Sequence, residues 1–121
     1  MFELVTRLKA ISDMTRLKML KLIMEQEFSV CELARLLNIS QPAVSQHLRR
    51  LKAVGLAKED RRGQWIYYST TKNAVENIVH DLQILCDCSL KSLPEFNDII
   101  PLLENSSELQ KDCLAPEKDK S

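Results

Sequence analysis

Between Ser29 and Gly55 the chain carries helix punctuation for two short helices with almost nothing between them. Ser29 and Glu32 make the S-x-x-E capping box, followed by Leu33, Leu36 and Leu37 at helical spacing. Asn38-Ile39-Ser40 then leaves room for only a three-residue turn, and Ser40 is a good N-cap for a second helix over about 41–53. Pro42 falls in the first turn, where its missing N–H removes no intrahelical bond, and Gly55 provides the stop. Two helices joined by so short a turn, the second followed by a basic hairpin, have the layout of a winged helix–turn–helix.

The flanking segments extend this unit. Leu4, Val5, Leu8 and Ile11 predict a helix over 2–11. Asp13 predicts the cap of another over 14–25, with Leu17, Leu20, Ile23 and Met24 as its core face. After Gly55 the period changes. Leu56–Asp60 and Trp65–Ser69 flank Arg61-Arg62-Gly63-Gln64, and the second run is aromatic and β-branched, which reads as a β-hairpin. Residues 72–90 return to helix, with Val75, Ile78, Val79, Leu82 and Leu85 on one apolar face. Pro94 and Pro101 bracket a short helical piece containing Phe96, Ile99 and Ile100, and the last dozen or so residues read as a solvated tail. The expected fold is mainly α with a small β-hairpin wing. A winged helix-turn-helix and dimerisation domain spans 1–92, and a C-terminal extension spans 93–121.

Composition narrows the function. At 121 residues the chain is one or at most two domains, and 45% hydrophobic content with 28% charged is ordinary for a folded chain. No run is long and apolar enough to span a membrane, and the charged N-terminal segment lacks signal-peptide character, so a cytoplasmic location is expected. The net charge of zero hides an uneven distribution. Residues 41–70 carry six Lys or Arg against two Asp or Glu, whereas residues 71–121 carry five against ten. One basic stripe on a neutral-to-acidic body suggests a local polyanion site.

That stripe coincides with the second helix of the pair and the hairpin. At about 100° per residue, Val44, Leu48 and Leu51 form an apolar underside, and Pro42, Gln46, Arg49 and Arg50 lie opposite. Gln41, Ser45 and Gln46 are suited to hydrogen bonding with base edges; Ser40, Arg49, Arg50 and the helix N-terminus are suited to phosphate. Arg61 and Arg62 would form a charged wing tip. Trp65, Tyr67 and Tyr68 are read chiefly as core and its covering. His47, off the centre of the apolar face, reads equally as a half-buried structural side chain or a base contact.

Residues 2–69 resemble the ArsR/SmtB family of metal-responsive repressors, arsenical-resistance branch. The segments that carry the likeness are Leu8–Leu17, Val30–Ala34, Ser40–Leu48 and Arg61–Tyr68. Met14 stands where the family usually has proline. The resemblance implies a homodimer built from the first and last helices, seated on double-stranded operator DNA with dyad symmetry, and released when an inducer binds. No cofactor is implied for DNA binding itself.

Four cysteines in a cytosolic chain favour metal or redox chemistry over a disulfide framework. No zinc-binding C-x-x-C, H-E-x-x-H, phosphate loop or nucleophile elbow is present, so no enzymatic activity is expected. Cys31 falls in the first turn of its helix, where the dipole favours thiolate. The resemblance places a cysteine cluster there, of which Ser29 and Ala34 replace two members. A thiolate site for arsenite, antimonite, cadmium or lead must therefore add Cys86, Cys88 or Cys113 to Cys31. Residues i and i+2 diverge on a regular helix, so Cys86 and Cys88 could converge only if the helix ends there. At the positions of the zinc-sensing branch stand Lys72, Ala74, Leu85 and Cys88, so that site is not expected. The other readings are a thiol-redox switch without metal and a winged-helix interaction module that no longer binds DNA.

Overall fold

The computed structural model describes residues 1–113. Seven α-helices and three strands follow in the order α1 (Phe2–Ile11), α2 (Met14–Glu25), β1 (Phe28–Ser29), α3 (Val30–Leu37), α4 (Gln41–Ala53), β2 (Lys58–Arg62), β3 (Trp65–Ser69), α5 (Lys72–Asp87), α6 (Ile100–Glu104) and α7 (Ser106–Asp112). Two 3₁₀ turns, Leu90–Ser92 and Pro94–Phe96, lie between α5 and α6. The antiparallel sheet has the order β1-β3-β2. The chain divides into two compact units, one of Met1–Gln83 and one from Ile84, so the division falls within α5. No described helix is long and apolar enough to cross a membrane.

The punctuation of the first unit is realised by specific bonds. Asp13 Oδ2 accepts from the Arg16 amide at 3.0 Å and starts α2. Ser29 Oγ accepts from the Glu32 amide at 3.2 Å, while Glu32 Oε1 accepts from the Ser29 amide at 2.9 Å, which completes the capping box of α3. Asn38 ends α3 in the left-handed region at φ 54°, and Ser40 Oγ accepts from the Ala43 amide at 3.2 Å to begin α4. Gly63 opens the two-residue hairpin loop at φ 62°, a conformation that costs an L side chain about 1–2 kcal/mol.

The core lies where α2, α3 and α4 meet. Met19, Ile23, Leu33, Val44, Leu48, Leu51 and Leu56 are each almost wholly enclosed. Burying such a side chain contributes on the order of 2 kcal/mol, against about 1 kcal/mol for a helix cap. Packing therefore decides where α4 lies, and its cap decides only where it begins.

Several expectations are corrected. On α2 the buried positions are Arg16, Met19, Leu20 and Ile23, so the core stripe is rotated away from Leu17 and Met24, which remain exposed. Leu36 is exposed on α3, because α4 covers the side that holds Leu33 and Ala34. Arg61 and Arg62 belong to β2 and the loop is Gly63-Gln64, while Leu56 and Ala57 precede the strand and are buried. The short β1, unforeseen because two residues carry no periodicity, pairs Phe28 with Tyr68 and Ser29 with Tyr67. On α5 only Ile78 is buried, and Val79 and Leu82 are exposed.

In the second unit, α6 begins at Ile100 with Pro101 in its first turn, so proline opens this helix instead of closing one. Helix α7 occupies part of the stretch expected as tail; the remainder of that stretch lies outside the described residues.

One buried cation ties the first unit together. Arg16 Nε donates to the Ala10 carbonyl at the end of α1, and a terminal nitrogen lies 3.2 Å from His47 Nδ1 on α4. Since arginine can only donate, His47 Nδ1 is the acceptor in this contact. Arg16→Met would leave both acceptors without this donor, and we expect a loss of about 1–3 kcal/mol in urea unfolding.

Candidate nucleic-acid interface

The underside of α4 is buried and its opposite side is open. Val44, Leu48 and Leu51 hold the helix against the core, and Ser40, Gln41, Gln46, Arg49 and Arg50 are exposed, with Ser45 half-buried at the margin. Arg49 and Arg50 make no hydrogen bond or ion pair among the described residues. Pro42 has no N–H, and Ser40 takes the Ala43 amide through its hydroxyl and the Val44 amide through its carbonyl. Of the first-turn amides only that of exposed Gln41 is left over. The exposed side chains and the helix start still present donors, acceptors and positive charge on one side.

His47 is placed differently from that set. It is half-buried and its Nδ1 is engaged by Arg16. Of the two readings left open by the sequence, the structure gives it the internal partner.

The hairpin lies beside α4. Register pairs Glu59 with Tyr68, Arg61 with Ile66 and Arg62 with Trp65. Side chains alternate along a strand, so Glu59, Arg61 and Tyr68 share one face, and Asp60, Arg62 and Tyr67 share the other. The first face looks toward α4. There Glu59 accepts from Lys52 Nζ at 2.6 Å and from the Tyr68 hydroxyl at 3.2 Å, and Ser45, Leu48, Arg49, Lys52, Glu59 and Tyr68 line a cleft of about 330 Å³. The Lys52 ammonium, and then the Tyr68 hydroxyl, hold the Glu59 carboxyl below its ordinary value. Partial burial, then the Glu59 carboxylate, raises the Tyr68 phenol above its own.

Arg61 leaves from this α4-facing side. It makes no hydrogen bond or ion pair among the described residues. Arg62 does not join it. Its guanidinium is held by Glu27 and Asp60 on the far face, so the expected pair of wing-tip cations is one open cation and one engaged cation. The signal that separates them, strand alternation, was present in the sequence; the strand boundary that activates it was not.

The thiols are all free and all exposed. Cys31 occupies the second position of α3 and borders a cleft of about 310 Å³ with Ser29, Glu32, Trp65 and Tyr67. Cys86 lies in the last turn of α5 and Cys88 just after it, where the Cys88 amide still donates to the Ile84 carbonyl at 2.9 Å. The helix does end between them. Among the described residues, however, no three His, Cys, Asp or Glu side chains gather as a metal ion would require.

Residues 13–59 match the family described as bacterial regulatory protein, arsR family. The arsenic resistance transcriptional regulator ArsR1 of Pseudomonas putida is 46% identical over 61 residues, which cover 50% of this chain and 48% of that protein. The chain thus spans about half the length of that relative. The transcriptional repressor SdpR of Bacillus subtilis is 38% identical over 72 residues, covering 60% of this chain and 80% of that protein. Among solved structures, reduced HlyU from Vibrio cholerae superposes with a TM-score of 0.57 at 32% identity, covering 72% of this chain and 90% of that one.

The matched segment includes the cap on which the start of α4 depends. Ser40→Ala is expected to destabilise this helix start by about 1 kcal/mol, seen as faster amide hydrogen exchange at Ala43 and Val44.

Proposed function

The chain belongs to the ArsR family of bacterial regulatory proteins, and from that premise we propose that it is a dimeric transcriptional repressor that reads double-stranded DNA with α4. The observation that carries this reading is the outward side of α4, with Gln41, Gln46 and Arg49, which meets at Ser45 and Arg49 the cleft under the strand face that also carries Arg61. In it, Gln41, Ser45 and Gln46 address base edges in the major groove. Ser40, Arg49, Arg50 and the helix start meet phosphates, and Arg61 meets the backbone beside the wing. His47 and Arg62 are assigned to internal contacts instead. Exposed apolar side chains support a second copy packing on the first and last helices of the domain. These are Phe2 and Val5 on α1 and Val79 and Leu82 on α5. Such a dimer would address half-sites about one helical turn apart, on an operator with dyad symmetry. A cytoplasmic location fits this role.

The inducer in this reading is a thiolate-seeking soft ion of the arsenite, antimonite, cadmium or lead kind, with Cys31 as its anchor. Cys86 and Cys88 are the further thiols, and Cys113 an additional one. The name of the arsenic-resistance relative supports the choice. Cys31 stands at the start of α3, and α3 packs on α4. A bond made at Cys31 therefore acts on the helix that backs the reading helix. A coupling of only about 1–3 kcal/mol would change occupancy 5–150-fold. Two observations favour a second reading, a thiol oxidation switch: the thiols are free and exposed, and no three metal-binding side chains gather among the described residues.

Two measurements test the proposal. Replacing Arg49 and Arg61 together by Ala should flatten the slope of log duplex affinity against log salt by about four units in the dimer, roughly one for each of the lost phosphate contacts on the two subunits. An unchanged slope would favour an interaction module over a DNA-binding protein. Arsenite or cadmium should release the reduced protein from a duplex taken from upstream of its own coding sequence, and Cys31→Ser should abolish that release. Release by oxidant alone, with metal inert, would establish the redox reading.

A further inference from the structure

The wing carries two consecutive arginines, and the sheet sends them opposite ways. Arg62 lies over the ring of Tyr67, 5.0 Å from its centroid, and donates through both terminal nitrogens to the two carboxylate oxygens of Glu27, each at 2.7 Å. Its Nε donates to Asp60 at 3.0 Å. Glu27 sits in the link between α2 and β1, and β1 is the edge of the sheet opposite β2. One side chain thus crosses the central strand and joins the two edges on the face turned away from α4.

The hairpin needs such a tie. β1 supplies only two residues, paired with Tyr67 and Tyr68, so the outer part of the hairpin has no third strand beside it. Two strands alone are marginal in water. An isolated exposed ion pair would add little, but a bidentate guanidinium shared by two carboxylates and laid on an aromatic ring has the fixed geometry that makes such a contact worth holding.

We propose that Glu27 is a positioning residue for DNA binding: by clamping Arg62 across the outer face, it fixes the hairpin so that neighbouring Arg61 meets the duplex backbone. The role rests on the DNA reading given above. Its sign is opposite to that expected from charge alone, because here an acidic side chain strengthens attachment to a polyanion.

The chain has a single tryptophan, Trp65, which pairs with Arg62 and is 59% exposed, so it reports on the hairpin without any label. The test compares Glu27→Gln, Arg62→Ala and Arg61→Ala with the wild type. It measures Trp65 fluorescence anisotropy in the free protein and affinity for a mixed-sequence duplex across a range of salt. Glu27→Gln should lower the Trp65 anisotropy and weaken duplex binding about two- to five-fold. Its salt slope should not change, because Arg61 still reaches phosphate in the complex and only the cost of ordering the hairpin on binding is added. Arg62→Ala should do the same, whereas Arg61→Ala should reduce the slope by about two units, one for each subunit of the dimer. Unchanged anisotropy or tighter duplex binding in Glu27→Gln would overturn the inference, and so would an Arg62→Ala slope reduced like that of Arg61→Ala. A wild-type protein without salt-dependent duplex binding would instead overturn the DNA reading, and the positioning role with it.

Discussion

Everything this chain presents to a partner depends on the burial of Val44, Leu48 and Leu51 beneath α4. A thirteen-residue helix is near the limit of what forms alone in water. Here it is fixed because its apolar side is enclosed by α2 and α3, and the enclosure leaves no rotational choice. Once those three residues point inward, Gln46, Arg49 and Arg50 must point outward. The outward set is a consequence of packing, and its chemistry follows from which residue types fill the remaining positions.

Two arginines show how the same side chain serves opposite ends. Arg16 is buried and works inward, joining the end of α1 to α4 through the Ala10 carbonyl and His47. Arg62 is exposed and still works inward, held by Glu27 and Asp60 on the outer face of the sheet. Arg61, one residue away, has neither kind of partner among the described residues. Charge counting cannot distinguish the three. The number of basic residues along 41–70 overstates the charge available to a ligand, because Lys52 is paired with Glu59 and Arg62 with its two carboxylates.

The exposed cysteines and the uncovered apolar residues of α1, α2 and α5 tell a related story. Leu17, Met24, Val75 and Val79, with Ile11, Leu20, Lys21 and Ile78, line an apolar groove of about 430 Å³ in the first unit. Helical periodicity marks these residues as apolar and therefore suggests burial, but periodicity does not say against what. In a single chain part of that stripe has no cover. A periodic apolar face and a core face are the same signal in sequence, and they separate only when neighbours are placed.

What the sequence determined by itself was local. The capping box at Ser29 and Glu32, the Asp13 and Ser40 caps, the Asn38 turn and the hairpin after Gly55 all rest on interactions within a few residues, where chemistry and spacing suffice. The inward face of α4 was legible for the same reason. Tertiary structure alone decided which stripe of α2 is core, that β1 joins the sheet, that His47 meets Arg16, and that Arg62 turns away from Arg61 toward Glu27. Those outcomes depend on groups 31 and 35 residues apart in the chain for the last two contacts, and on strand limits that fix which side of a sheet each residue takes. Shifting a strand by one residue exchanges its two faces, and no local pattern holds that information.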